Sequence, residues 1–102
     1  MASAPIVAAA SGDNTVVAAV TGKRIRVIRY EISASGAVNA KWRSGTTDIT
    51  GLFYFAAAGA TADADSTDQG RDSLFETVAG QALVLNLSAA VAVGGFIDYT
   101  LE

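Results

Sequence analysis

The sequence predicts an all-β fold, an antiparallel eight-stranded β-sandwich resembling a jelly roll. Three observations support this prediction. Short apolar runs recur roughly every 8–15 residues and are separated by clusters of Gly, Ser, Asn and Asp. Several runs alternate apolar and polar residues, which is the period of a half-buried strand. Helical periodicity is nearly absent.

The predicted strands follow these apolar runs in chain order. They lie near residues 5–9, 15–20, 24–33, 37–43, 51–55, 74–78, 82–87 and 91–101. Alternation is clear in the fourth run, where Val38, Ala40 and Trp42 share one face of the strand. An immunoglobulin-like sandwich is the alternative fold, but the cysteines of its core pattern are missing.

The third predicted strand breaks the alternation. Ile25 and Val27 point to one side of a regular strand, whereas Ile28, Tyr30 and Ile32 point to the other. A β-bulge near Val27–Ile28 would restore a single inward face. The alternative is burial on both sides, with a neighbouring subunit covering the outer isoleucine.

A chain of 102 residues is long enough for one domain and too short for two. We expect residues 11–102 to form a single β-sandwich domain. Residues 1–10 form either an extended N-terminal arm, which we favour, or the first strand of the domain's own sheet. The first residues lack the basic region of a secretory signal, and no apolar run is long enough to span a membrane as a helix.

The composition limits the possible chemistry. The chain has no cysteine and no histidine, which excludes disulfides, thiol nucleophiles, zinc–thiolate sites and histidine general bases. A pair of carboxylates drawn from Asp48, Glu76 and Asp98 could in principle serve a glycosidase, but each is more simply an outward strand or turn residue. We therefore expect no enzymatic activity, no catalytic residue and no cofactor.

The charge balance constrains the partners. The formal net charge is −3, which argues against direct nucleic-acid binding and against a polybasic membrane anchor. Only 17% of the residues are charged, and alanine alone supplies 21 residues. Part of the outer surface should therefore be small and apolar, which favours burial against other subunits. The alternative is that alanine is merely tolerated on the outer faces of strands.

An aspartate-rich segment lies within the longest predicted connector, residues 56–73. Its carboxylates are Asp63, Asp65, Asp68 and Asp72. A calcium loop that starts at Asp65 would have Gly70 at position 6 and Glu76 at position 12, but Thr67 and Gln69 are weak ligands at positions 3 and 5. We expect a solvated connector and no metal site, with calcium binding or contact with a basic partner as alternatives.

Four of the seven basic residues fall within seven positions, namely Lys23, Arg24, Arg26 and Arg29. Arg24 and Arg26 are two positions apart and so project from the same face of a strand. Lys41 and Arg43 have the same spacing on the next predicted strand. If these two strands pair, a basic stripe forms on one sheet face. The stripe is either ordinary solvated charge, a docking surface for an acidic protein or a nucleic-acid surface. The third alternative fits least well, because no aromatic residues are interleaved with the basic ones.

Several short pieces resemble small bacteriophage virion proteins. They are Asn14–Thr15–Val16–Val17, Gly22–Lys23–Arg24–Ile25–Arg26–Val27, Gly36–Ala37–Val38–Asn39, Ser44–Gly45, Thr50–Gly51, Ala79–Gly80, Asn86–Leu87–Ser88 and Val93–Gly94–Gly95. The resemblance spans residues 14–99 but departs at 60–73, where aspartates replace a Gly/Pro-rich connector. It is closest to capsid decoration (cement) proteins, which commonly sit as trimers where capsid hexamers meet.

This resemblance implies a virion protein that is made in the host cytoplasm and binds the major capsid protein on the outside of the head. It implies a homo-oligomer, with a trimer expected, and no direct contact with nucleic acid or membrane. The candidate capsid or subunit contacts are Pro5, Ile6, Val7, Lys23, Arg24, Arg26 and Arg29. The alternative is a head-fibre or tail-tip module that recognises a host glycan, with Trp42 and Tyr54 as aromatic platforms.

Overall fold

The computed structural model describes residues 1–67, 70 and 72–102, and these contain ten strands and no helix. The strands are β1 (Ala2–Ala8), β2 (Gly12–Val17), β3 (Ile25–Ala34), β4 (Val38–Ser44), β5 (Thr47–Asp48), β6 (Phe53–Phe55), β7 (Thr61–Asp65), β8 (Phe75–Glu76), β9 (Leu83–Leu87) and β10 (Val93–Leu101). All eight predicted runs contain a strand, and β5 and β7 are additional. The prediction of eight strands is therefore wrong by two.

The strands form two antiparallel sheets of five strands each. Sheet A has the order β1-β10-β3-β7, and β8 also pairs with β3 beyond the end of β7. Sheet B has the order β2-β9-β4-β5, and β6 also pairs with β4. The described residues contain no helix that is long and apolar enough to cross a membrane.

One hydrophobic core joins the two sheets. Alternate residues of β3 and β4 are buried, as the period of two predicts for strands with one covered face, and β9 and β10 contribute further buried residues. Trp42 of sheet B is fully buried, and its ring contacts Tyr30 of sheet A edge to face with 5.2 Å between the centroids. Phe53 and Phe75 complete this aromatic cluster. Burial raises the pKa of the Tyr30 phenol.

The predicted bulge in β3 is confirmed. Val27 pairs with Tyr99 and Arg29 pairs with Asp98, so that Ile28 is an extra residue in the ladder. As a result Ile25, Val27, Tyr30, Ile32 and Ala34 all face the core. The carbonyl of Ile28 accepts a hydrogen bond from Ser66 N at 2.9 Å, which satisfies the group that the bulge displaces.

Residues 2–8 form the first strand of sheet A and not a free arm. Strand β1 pairs with β10 over seven residues, from Ala2 opposite Tyr99 to Ala8 opposite Val93. Ile6 and Ala8 lie in the core, because every second residue of an edge strand points inward. Pro5 lies in the middle of this edge strand, where a missing N–H is tolerated.

The expectation that residues 56–73 form a solvated connector is wrong for its middle part. Residues Thr61–Asp65 form β7, which pairs with β3 from Ser33 to Arg29. The sequence Thr-Ala-Asp-Ala-Asp alternates, so the half-buried Ala62 and Ala64 pack against the core while the aspartates point outward. Without β7 the outer edge of β3 would leave backbone groups unpaired at these positions.

The condition for a continuous basic stripe is not met. Lys41 and Arg43 lie on β4 in sheet B, whereas Arg26 and Arg29 lie on β3 in sheet A. The two strands are consecutive in the chain but cross from one sheet to the other. These four basic residues are therefore divided between the two sheets.

Candidate interaction surfaces

The basic residues at the start of β3 are held by carboxylates of the same chain. Arg26 contacts Glu102 at 2.5 Å and Glu76 at 3.5 Å, and Arg24 lies 3.7 Å from Glu76. The hydrogen bond that Arg26 donates to Glu102 raises the pKa of Arg26. The backbone of Arg24 also pairs with Glu102 in both directions. Lys23, Arg24, Arg26, Glu76 and Glu102 together define what we call the charged end.

Lys23 differs from these arginines. It is exposed, and within the described part of the chain its side chain makes no ion pair. Its backbone is fixed, because Lys23 N donates to Val20 O and Lys23 O accepts from Gly80 N. Of the predicted basic contact residues, Lys23 is thus the one whose charge is most available to a partner.

Arg29 lies apart from the charged end, on the outer face of sheet A. Its guanidinium is 4.9 Å from the centre of the Phe96 ring and 3.4 Å from Asp98. Asp98 also accepts a hydrogen bond from Ser3. Arg29 is therefore occupied by two partners on β10, although about half of its side chain remains exposed.

Lys41 and Arg43 belong to a network on the outer face of sheet B. Arg43 binds both oxygens of Asp13, at 3.0 and 3.1 Å, and reaches Asp48 through Nε at 2.9 Å. Lys41 binds the other oxygen of Asp48 at 3.1 Å. Asn86 donates to Asp13 at 2.7 Å. The Asn86 amide is the main cause of the lowered pKa of Asp13, and Lys41 is the main cause of the lowered pKa of Asp48.

The N-terminal contact candidates separate into two groups. Ile6 is only 1% exposed and belongs to the core, so it is not available to a partner. Pro5 and Val7 point outward on the edge strand, and Val7 is 83% exposed. A valine held this far from the core by a regular strand contributes little to folding, and its surface remains free for contact with another molecule.

Among the residues that the structure describes, the aspartates of the 62–72 segment belong to no group suited to a metal ion. Asp63 and Asp65 project from β7 beside Glu31 and Arg29, along a groove of about 410 Å³ on the outer face of sheet A. Asp65 also caps the following turn by accepting from Thr67 N at 2.9 Å. Gln69, which occupies position 5 of the calcium loop considered above, lies outside the described residues, as does Asp68.

The carboxylates considered from the sequence as candidates for metal binding or catalysis do not gather into one site where the structure describes the chain. Three or more acidic side chains placed to hold an ion are not found among residues 1–67, 70 and 72–102. Asp48, Glu76 and Asp98 lie in three separate ion-pair groups, with Asp48 on a different sheet from the other two. The convergence that a glycosidase requires is absent for these three residues.

The two aromatic platform candidates have different environments. Trp42 has an exposed fraction of 0% and packs among Tyr30 and Phe75, so it is a core residue. Tyr54 is 75% exposed on β6, with Leu52 nearby in the chain and also exposed. Of the two residues, only Tyr54 presents a ring to solvent.

Four chain connections without any charged residue meet at the end of the domain opposite the charged end. They are residues 9–11, 35–37, 56–60 and 88–92, and all sixteen are Ala, Ser, Gly or Val. Ala34 exchanges backbone hydrogen bonds with Gly59 and Ala60, and Ser35 N donates to Ala92 O. We call these four connections the charge-free end. Most of their residues are exposed.

The charge-free end continues into a shallow depression on the outer face of sheet A. The depression has a volume of about 290 Å³, and Val7, Ala9, Ser33, Ala92 and Gly94 are among the residues that line it. It exists because small residues meet there, since Ser33 and Val7 flank Gly94 on neighbouring strands. Its lining is mainly apolar.

The sequence by itself did not predict that these four connections converge, because they are far apart along the chain. The available signal was compositional, since none of the four carries a charged residue. No protein-family model, no curated protein and no solved structure matches the chain.

Proposed function

We propose that this protein is a structural, non-enzymatic component of a bacteriophage virion, a capsid decoration protein that binds the outside of the head. In this role it stabilises contacts between major capsid subunits and acts as a homo-oligomer, with three copies expected. The sequence resemblance described above supports the proposal. We propose the capsid surface as the location of the protein as well.

The observation that carries the proposal is the chemical difference between the two ends of the domain. Strand β3 begins beside Lys23 and Arg24 at the charged end and finishes at Ala34 beside the charge-free end. Ten residues at about 3.3 Å each span roughly 33 Å, close to the longest extent of 36 Å. A small domain with two chemically different ends suits a subunit that contacts different neighbours at each end.

The strand pairing supports a jelly-roll β-sandwich as the fold behind this role. If β5 and β6 count as one strand and β7 and β8 as another, eight strands remain. They pair in nested order, with the first against the last, the second against the seventh, the third against the sixth and the fourth against the fifth. A jelly roll forms when such a nested antiparallel ribbon folds into two sheets.

The first experiment is to measure the copy number of the chain per major capsid subunit in purified particles, by quantitative mass spectrometry. A decoration protein should be near-stoichiometric with capsid subunits, because every equivalent site on the shell is available to it. A few copies per particle would contradict the decoration role and would indicate a fibre, neck or tail component.

Docking of the charged end onto an acidic shell surface can be tested separately. We expect Lys23→Gln to reduce occupancy on particles that lack the protein, and to make the remaining binding less sensitive to salt. The matched control is Thr15→Asp, which changes the net charge equally on the exposed face of sheet B. Lys23 is preferred to Arg24 and Arg26, because reversing the charge at those positions would also break contacts with Glu76 and Glu102. Equal occupancy for Lys23→Gln, Thr15→Asp and wild type would count against this docking mode.

A glycan-binding module of a head fibre or tail tip is the second candidate, and the exposed ring of Tyr54 favours it. Glycan-array binding that is lost in Tyr54→Ala but kept in Leu52→Ala would support this function. Trp42→Ala is unsuitable for the test, because removal of this buried ring should cost about 3–5 kcal/mol of folding free energy.

A further inference from the structure

Electrostatics distinguishes the charge-free end from the rest of the surface. The chain carries a net charge of −3, and the part of the outer face of sheet A beside β7 presents Glu31, Asp63 and Asp65, while the neighbouring Arg29 is already paired with Asp98. Two copies that met through this acidic part of the face would bring like charges together. The four connections of the charge-free end carry no charge, so two copies can meet there without that repulsion.

A connection of small residues and a shallow depression lie side by side at this end. The 56–60 connection lies directly beside the depression, because Ala34 lines the depression and exchanges hydrogen bonds with Gly59 and Ala60. A rotation axis that passes near this end therefore brings the connection of one copy to the depression of the next. The connection consists of four alanines and a glycine, and small side chains of this kind fit a shallow, mainly apolar hollow.

The available area limits the strength of such a contact. The two shorter extents of the domain are 28 and 21 Å, so the area of the end is at most roughly 600 Å². This area is below the ~800 Å² that each partner buries in a stable interface. The depression on sheet A adds contact area beyond this bound. A weak association follows, which becomes effective when copies are held side by side on a repeating surface.

We propose that the charge-free end and the adjoining depression form the contact between copies of this chain, with the 56–60 connection of one copy seated against Ser33 and Gly94 of the next. This inference deepens the assembly role proposed above and rests on it. It names a second copy, and not the capsid, as the occupant of the depression.

The test is sedimentation equilibrium of the purified protein without particles, up to a concentration of about 1 mM, which reveals association with a dissociation constant as weak as about 1 mM. We expect the wild type to associate into dimers or trimers. Ala57→Glu should weaken association by about tenfold or more, because it places a charge in the contact. Ala79→Glu is the matched control, with the same net charge but at an exposed turn near Lys23 and Gly80, and it should associate as the wild type does.

A charge-pair experiment tests the predicted partner surface directly. Ala57→Lys and Ser33→Glu should each associate poorly alone, and an equimolar mixture of the two variants should associate again in a salt-sensitive manner. A wild type that stays monomeric, an Ala79→Glu variant as impaired as Ala57→Glu, or a mixture without rescue would each overturn the inference. Particle copy number is measured independently, so failure here is distinguishable from failure of the decoration role.

Discussion

At the scale of single residues, Gly95 is a position whose backbone conformation and close neighbours leave room only for glycine. Its φ of +155° lies in a region that side chains of L-residues rarely adopt, and a Cβ built there would lie 1.8 Å from the carbonyl oxygen of Glu31. Gly95 pairs with Ile32 on one side and Ile6 on the other, at the centre of sheet A. A side chain at this position would force β3 and β10 apart.

We therefore expect Gly95→Ala to destabilise the domain by roughly 2–4 kcal/mol, through backbone strain and overpacking together. The measurement is urea denaturation followed by Trp42 fluorescence. Gly51→Ala is the control, because its φ is not positive and a Cβ there meets open space. Equal stability of the Gly95 and Gly51 variants would contradict this account of the β3–β10 contact.

At the scale of elements, the strands of sheet B are linked by ion pairs on their outer face as well as by the backbone hydrogen bonds of the sheet. Asp13 on β2, Asn86 on β9 and Arg43 on β4 are linked in a row across three strands. Asp48 on β5 extends the row by binding Lys41 and Arg43. Surface ion pairs are individually weak, but a row of this kind fixes the register of short strands.

The lowered pKa values of Asp13 and Asp48 give this network a defined pH dependence. A carboxyl whose pKa is lower in the folded state stabilises the protein above its unfolded pKa of about 3.9, and the contribution is lost as the pH falls through the folded value. We expect the melting temperature to be nearly constant from pH 7 to 5 and to fall below about pH 4.

Asp13→Asn isolates this effect. Its stability should be lower than that of the wild type by roughly 0.5–1 kcal/mol at pH 7, and the difference should vanish near pH 2, where both proteins lack the charge. Thermal melts across this pH range provide the measurement. Asp63→Asn serves as the comparison, since Asp63 makes no ion pair with the residues that the structure describes. A difference that persists at pH 2 would show that the Asp13 charge is not its cause.

At the scale of the whole molecule, the first and last strands of the chain are neighbours. Strand β1 pairs with β10 along its length and contributes Ile6 and Ala8 to the core. The domain's edges carry features that oppose further strand pairing, with Pro5 in β1 and outward aspartates in β7. Contacts with other molecules are therefore expected through its ends and faces and not through added strands.

Deletion of residues 1–8 tests the position of β1. Because the deletion removes the buried Ile6 and leaves β10 without its edge partner, we expect a loss of at least about 3 kcal/mol or a failure to fold. Deletion of Met1 alone, which is 84% exposed, should leave the urea midpoint unchanged. A stable domain without residues 1–8 would instead favour the extended arm.

Local patterns in the sequence predicted much of the fold. The alternation of Val38, Ala40 and Trp42 assigned the buried face of β4, and the interruption at Val27–Ile28 predicted the bulge. Such features depend on a period of two that each strand carries by itself. Strand β7 escaped prediction because its inward residues are only alanines and its outward residues are aspartates, which are uncommon in strands.

The sequence by itself determined an all-β chain, the inward faces of its main strands and the absence of cysteine and histidine chemistry. Only the tertiary structure decided that β3 and β4 lie in different sheets, that most basic side chains are paired within the chain, and that four uncharged connections meet at one end. The reason is that strand partners are chosen over long separations in the chain. Alternation fixes which side chains point inward, whereas pairing fixes which distant residues share a surface.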